Sequence, residues 1–253
     1  MPFWEDLLQN ETVGSLESPV KRKRRTVANL YCCFISKQKF TPGHEHVISL
    51  QESNGMLETL LKWDRELFIK INNDWTSPFL DAAFPWYRYQ NTWIPLYLFL
   101  FLFLLMNYGW RIWPFVVTVA LTVTATDQLS SHVVKLLINK TRPCHDDSLV
   151  GQVRLLVSYC PDNPGFTSSH ATNHFGIACL FFFTLFPLFK KWSYWWFVWA
   201  ATICYAQVYV GIHFPLDVVG GALLGSLIGC SIAALYNKYI GLPPKLEKPF
   251  GFA

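Results

Sequence analysis

The sequence predicts an all-α, polytopic membrane protein: a bundle of about five transmembrane helices preceded by an amphipathic surface helix. Three observations carry this prediction. Of the 253 residues, 52% are apolar and only 15% are charged, whereas an ordinary soluble domain is ~25% charged. The apolar residues gather in five runs, each near the ~17–25 residues that a spanning helix needs. Trp and Tyr crowd the ends of those runs, as they do at membrane–water interfaces. The 14 Gly and 15 Pro are too few for a collagen-like or low-complexity chain. No repeat of ~20–50 residues marks a solenoid or propeller. A net charge of +4, spread along the chain, predicts no nucleic-acid partner.

Residues 1–55 differ from the rest and are expected to be disordered or a non-native extension. They carry the basic run Lys21-Arg22-Lys23-Arg24-Arg25, which reads as a localisation or phosphate-binding patch or as a solvated tail. The apolar stretch 27–35 is too short to span a bilayer and lies too far into the chain for a signal peptide. Met56 opens the first ordered-looking segment and is an alternative start. From residue 56 to 73, Leu57, Leu60, Leu61, Leu67, Phe68 and Ile71 recur at helical spacing with charges between them. That pattern predicts a helix lying on the membrane surface. The spans are placed at residues 93–110, 113–134, 171–189, 192–212 and 216–236. Pro95 is tolerable in the first turn of its helix. Gly221, Gly225 and Gly229, four apart in the last span, allow another helix to approach closely, within the molecule or across a dimer seam. Residues 241–253 form a C-terminal tail.

Alternating the direction of the spans puts four sites on one membrane face: the end of span two, the start of span three, the end of span four and the start of span five. The chemistry-bearing residues fall there. Lys135 follows span two, and Arg142-Pro143 opens the long Pro-, Gly- and Asp-rich loop after it. Two cations at one helix end suit a phosphate monoester or a pyrophosphate, although snorkelling anchors have the same composition. Phe166-Thr167-Ser168-Ser169-His170 leads into span three. Free N–H groups at a helix N-terminus bind anions, Ser168 or Ser169 caps or donates, and His170 can protonate a departing alkoxide. His213-Phe214-Pro215-Leu216-Asp217 joins spans four and five. A carboxylate one turn beyond His213 can fix the imidazole tautomer and raise its basicity, and an oriented neutral His is a nucleophile toward phosphorus.

These three segments, Lys135-x6-Arg142-Pro143, Thr167-Ser168-Ser169-His170 and His213-x3-Asp217, resemble in order and helix-end placement the three signature motifs of the type 2 phosphatidic acid phosphatase (PAP2) superfamily. The resemblance covers residues 56–240, which it marks as a phosphatase domain. It implies a membrane phosphatase working without metal or other cofactor, with His213 as nucleophile forming a phosphohistidine and Asp217 orienting it. His170 is then acid for the leaving group and base for water. Lys135, Arg142, Ser168 and Ser169 hold the phosphate oxygens. The implied partners are membrane lipids and a lipid phosphate or pyrophosphate substrate: phosphatidic acid, phosphatidylglycerol phosphate, undecaprenyl pyrophosphate or lipid A. Thr167 and Ser169 depart from the usual Pro-Ser-Gly-His. Ala206 and Gln207 replace the usual Ser-Arg ahead of His213. Gln207 can donate to a phosphoryl oxygen but brings no charge, a loss of ~2–4 kcal/mol in the transition state unless another cation compensates. Arg154 and Lys140, in the loop, are the candidates. If nothing compensates, the rival reading is a lipid-phosphate binding or transport protein on the same scaffold.

Asp127, Ser131 and Lys135 are four apart and expected on one helix face, with Asp127 supporting the floor of the site through Lys135 or a polar bridge. His170 and His174 invite a zinc reading but lack the His-Glu-x-x-His form. Cys144 and Cys160 flank the middle of the loop and can form a disulfide if that face is oxidising. Cys179, Cys204 and Cys230 read as apolar fillers. Arg111, Lys190, Lys191 and Lys238 lie on the opposite face, which the positive-inside rule makes cytoplasmic, so the site is expected to face outward.

Overall fold

A computed structural model describes residues 44–244, with side chains from residue 55. The basic run at 21–25, the stretch 27–35 and the last nine residues lie outside the described residues. The chain divides into two compact units, Met1–Met56 and Leu57–Ala253, and the second holds all the spans and every motif residue.

Helix α1, His44–Ile69, ends in a π-helical turn, Lys70–Asp74. It begins ahead of residue 56, so residues 44–55 are helical rather than irregular. Past residue 56 it has two characters. Leu57, Leu60, Trp63 and Leu67 are exposed, while Phe68 and Ile71 are buried. The exposed apolar stripe suits a helix resting on lipid. Phe68 packs edge-on against Phe214, ring centroids 5.3 Å apart.

A short helix α2, Pro78–Tyr87, was not legible in the apolar pattern. Its signal is local: the Ser77 hydroxyl accepts from the Leu80 N–H at 3.2 Å, and Pro78 opens the first turn.

The apolar helical stretches are Gln90–Leu137, Ser169–Tyr209 and Pro215–Tyr239. The first has 48 residues. At ~1.5 Å per residue that is more than twice a ~30 Å hydrocarbon core. It breaks at Gly109, whose φ of 62° favours glycine, into α3, Ile94–Tyr108, and α4, Trp113–Gln128. A π-helical turn, Leu129–Val134, and a last turn to Leu137 extend α4. The second stretch breaks near Lys190 into α5, Ser169–Phe189, and α6, Trp195–Tyr209. With α7, Pro215–Tyr239, five long apolar helices lie where the five spans were expected, in three continuous candidate membrane stretches. Leu98, Phe99, Leu121, Leu223 and Leu227 are exposed, a coat of apolar side chains that suits a lipid surround.

α5 is the spine of the bundle, and α7 lies along it backbone to backbone. A Cβ on Gly221, Gly225 or Gly229 would run into the carbonyl oxygens of Ser168, Thr172 or Gly176, respectively. The glycine stripe is therefore spent inside the molecule. This close pairing sets the start of α5, which carries Ser168–His170, beside the start of α7, which carries Asp217.

Candidate active site

The four segments expected on one face meet in a buried polar cluster. Its base is the loop between α4 and α5. A disulfide joins Cys144 to Cys160. Asn72, fully buried, ties the loop to the bundle: its amide donates to the carbonyls of Arg154 (2.9 Å) and Tyr209 (2.8 Å) and accepts from the Arg154 N–H. Gly165 sits where a Cβ would come within 3.0 Å of Asp217 Oδ2, so a larger residue would press on that carboxylate.

Arg142 is 4% exposed. Its Nε donates to the Asn163 carbonyl (2.8 Å), its Nη2 to Asn163 Oδ1 (2.6 Å) and its Nη1 to the Ile212 carbonyl (3.0 Å). Nη1 also stands 3.0 Å from His213 Nε2. A guanidinium only donates, so Nε2 accepts and the ring proton is on Nδ1. Nδ1 faces Asp217 Oδ2 at 3.5 Å, longer than a formed hydrogen bond, as such contacts often are before substrate arrives. Burial, with Arg142 adding to it and Asp217 opposing, pushes the His213 imidazole down to about 4. The histidine is neutral, with its lone pair on Nε2. Burial likewise lowers Arg142 to about 10; Asp217 and Tyr159 oppose the fall and the charge of Arg88 adds to it.

Asp217 is fully buried. Its Oδ1 takes Lys140 Nζ at 2.8 Å and its Oδ2 the Phe214 N–H at 3.0 Å. Lys140 also pairs with Asp64 at 2.7 Å, and Asp64 takes the Leu216 N–H at 2.8 Å. Thus α1 buttresses the carboxylate that faces His213.

On the other wall Lys135 Nζ donates to Ser169 Oγ at 2.9 Å, and the Ser130 and Ser131 hydroxyls lie 3.2 and 3.0 Å from the same oxygen. Ser168 caps α5: its side chain accepts from the Ala171 N–H. Its own N–H donates to the Asp217 carbonyl at 3.0 Å. His170 is half-buried and, with Ser169 and Asp127, closes one end of a cavity of about 640 Å³ between α3, α4 and α5. Most of the rest of the lining, including Ile94, Leu98, Val116 and Val119, is apolar, with Gln90, Asn173 and His174 as polar exceptions. Ile94 and Leu98 are exposed, so the cavity has an apolar outer edge on α3, suited to contact with lipid.

Three expectations change. The π-helical turn at Leu129–Val134 inserts a register shift, so Asp127, Ser131 and Lys135 do not share one straight face. Asp127 has no hydrogen-bond partner among the described residues and lines the apolar cavity; the polar bridge runs from Lys135 through Ser169 to Ser131. Arg154 and Lys140 are not free to compensate for Gln207. Arg154 Nη1 is 2.7 Å from both Asp81 oxygens, and Lys140 is held between two carboxylates. His174 Nδ1 is 2.8 Å from the His170 carbonyl. Among the described residues no third Cys, His or acidic ligand joins these two histidines.

Sequence reasoning missed Arg88, Asn163, Asp64 and Asn72. Arg88, the C-cap of α2, is 2% exposed and donates from Nε to Gln207 Oε1 at 3.2 Å and from Nη2 to Tyr159 Oη at 3.2 Å. A signal existed: Arg88 lies just ahead of span one, which starts on the site face.

The sequence pattern of the PAP2 superfamily matches residues 111–240. The lipid A 4'-phosphatase of Bacteroides thetaiotaomicron is 33% identical over 69% of this chain and 77% of its own length. The lipid A 4'-phosphatase of Porphyromonas gingivalis is 30% identical over 71% and 75%. The fold matches the crystal structure of the PAP2-type phosphatidylglycerolphosphate phosphatase of Bacillus subtilis, with a TM-score of 0.55 at 22% identity, over 72% of this chain and 88% of that one. The motif order, the helix ends that bear it and the extent of these matches agree that this chain belongs to the PAP2 superfamily and is a membrane phosphatase of that type.

Proposed function

We propose that the chain removes a phosphate monoester from a lipid A-type substrate by double displacement through His213. The observation that carries the mechanism is the grip on that ring: Nε2 accepts from Arg142 while Nδ1 faces Asp217. Incoming phosphate draws Arg142 Nη1 onto a phosphoryl oxygen and frees the Nε2 lone pair. Nε2 bonds to phosphorus, the ester P–O bond breaks, and His170 gives its proton to the departing lipid alkoxide. Asp217 then balances the positive phosphoimidazole. Water attacks phosphorus, His170 takes its proton, and the P–N bond breaks to release inorganic phosphate. Lys135, Arg142 and the N-terminal N–H groups of α5 stabilise the equatorial oxygens.

The substrate class is supported by the lipid A 4'-phosphatases among the relatives and by the apolar cavity leading to His170. The proposal includes a site facing the extracytoplasmic side. Arg111, Lys190, Lys191 and Lys238 occupy the opposite ends of the helices, and the loop disulfide belongs to an oxidising compartment.

The test is phosphate release by detergent-purified protein from lipid A, phosphatidic acid, phosphatidylglycerol phosphate and undecaprenyl pyrophosphate, with and without EDTA. Release should be fastest from lipid A and resist chelator. It should fall at least ~10³-fold in His213→Ala, as for loss of a nucleophile. No release from folded protein favours the binding or transport reading. Release abolished by EDTA favours metal-assisted hydrolysis.

A further inference from the structure

We propose that Arg88 supplies, from the end of α2, the phosphate-binding charge that the third motif gives up at Gln207; this rests on the lipid phosphatase reading. Gln207 is six residues before His213 on α6 and wholly buried. Its Oε1 must be the end facing Arg88, because Arg88 Nε only donates. The amide nitrogen Nε2 is then left buried without an acceptor.

Like Lys135 and Arg142, Arg88 is a buried cation with no carboxylate pair among the described residues, in contrast to the two partly exposed cations of the loop. Arg154 is neutralised by Asp81, and Lys140 by Asp64 and Asp217. Arg88 touches only neutral groups, the Gln207 amide and the Tyr159 hydroxyl. Among the described residues no carboxylate pairs with it. A buried unpaired guanidinium is costly and is kept where an anion will complete it. The location fits: Arg88 reaches Gln207, the position six residues ahead of His213 where the third motif usually carries its arginine. Arg88 and Gln207 together replace one arginine. Arg88 brings the charge and turns the amide, and Gln207 Nε2 supplies a second donor.

The experiment is a charge relocation. Arg88→Ala should lower kcat/KM by ~10²–10³-fold, and Arg88→Lys by less. The double variant Arg88→Ala/Gln207→Arg should regain at least ~10-fold over Arg88→Ala. Arg88→Ala/Gln207→Met, which fills space without charge, should regain nothing. In parallel, inorganic phosphate is titrated by tryptophan fluorescence. Its Kd should weaken ~10-fold or more in Arg88→Ala and recover in the Gln207→Arg double variant. The proposal is overturned if folded Arg88→Ala keeps kcat/KM and phosphate Kd within about threefold of the parent, or if the Met and Arg double variants recover equally. A parent that turns over no lipid defeats the phosphatase reading, while the phosphate titration still decides the role of Arg88.

Discussion

His213 is held from two sides by groups of opposite charge, and burial decides the balance. Its pKa lies at about 4, below the ordinary ~6.5 of a free histidine. The ring is therefore neutral from pH 8 down to near 4, and the acid limb of kcat/KM for the free enzyme should fall near pH 4, not near 6.5. A profile of kcat/KM from about pH 3.5 to 8 checks this; an acid limb at ~6.5 would mean an imidazole open to solvent. Between about 6.5 and 4 the unfolded chain takes up a proton that the folded chain refuses, so this histidine costs stability as pH falls through that window. The motif residues were legible because their chemistry sits at helix ends within a few positions of each other. Arg88 and Asp64 were not, because they act on partners 119 and 152 residues away, a distance over which spacing carries no signal. The departure at Gln207 was visible in sequence; the neighbour that offsets it was not.

Among the elements, the pairing of α5 with α7 positions the site most directly. Gly225→Ala puts a methyl group against the Thr172 backbone, where no rotamer change relieves the overlap. Forced separation of the helices should cost ~1–3 kcal/mol, read as a lower melting temperature in detergent. Ser168 and Asp217 meet across the same seam, so activity should fall below the fraction that remains folded. A melting temperature equal to the parent's would show that the helices are free to part. The glycine spacing foretold close packing but left its partner open between another span and another molecule. The π-helical turn in α4 was not legible at all: nothing in Leu129–Val134 breaks a helical pattern, and the turn coincides with the long-range contacts of Ser130 and Ser131 with Ser169. Short α2 was missed because capping residues, not periodicity, define it.

At the scale of the whole molecule, an all-helical membrane bundle was foreseeable from apolar length, and alternation of direction foretold that the motif segments meet at one end of it. The sidedness in the membrane remains the proposal to test. Tags in the 145–160 loop should be cut by protease added to intact spheroplasts, and tags in the Lys190–Tyr194 turn should be protected; the reverse pattern would put the site in the cytoplasm. The path to the site has a kinetic meaning of its own. On the proposed function, with exposed apolar Ile94 and Leu98 at the edge of the cavity, the substrate approaches by lateral diffusion within a sheet of amphiphile. The encounter rate then depends on how many neighbouring amphiphile molecules are substrate, a surface mole fraction, and not on the amount per litre. Added detergent slows such a reaction by two-dimensional dilution even when every bulk concentration of enzyme and lipid is unchanged.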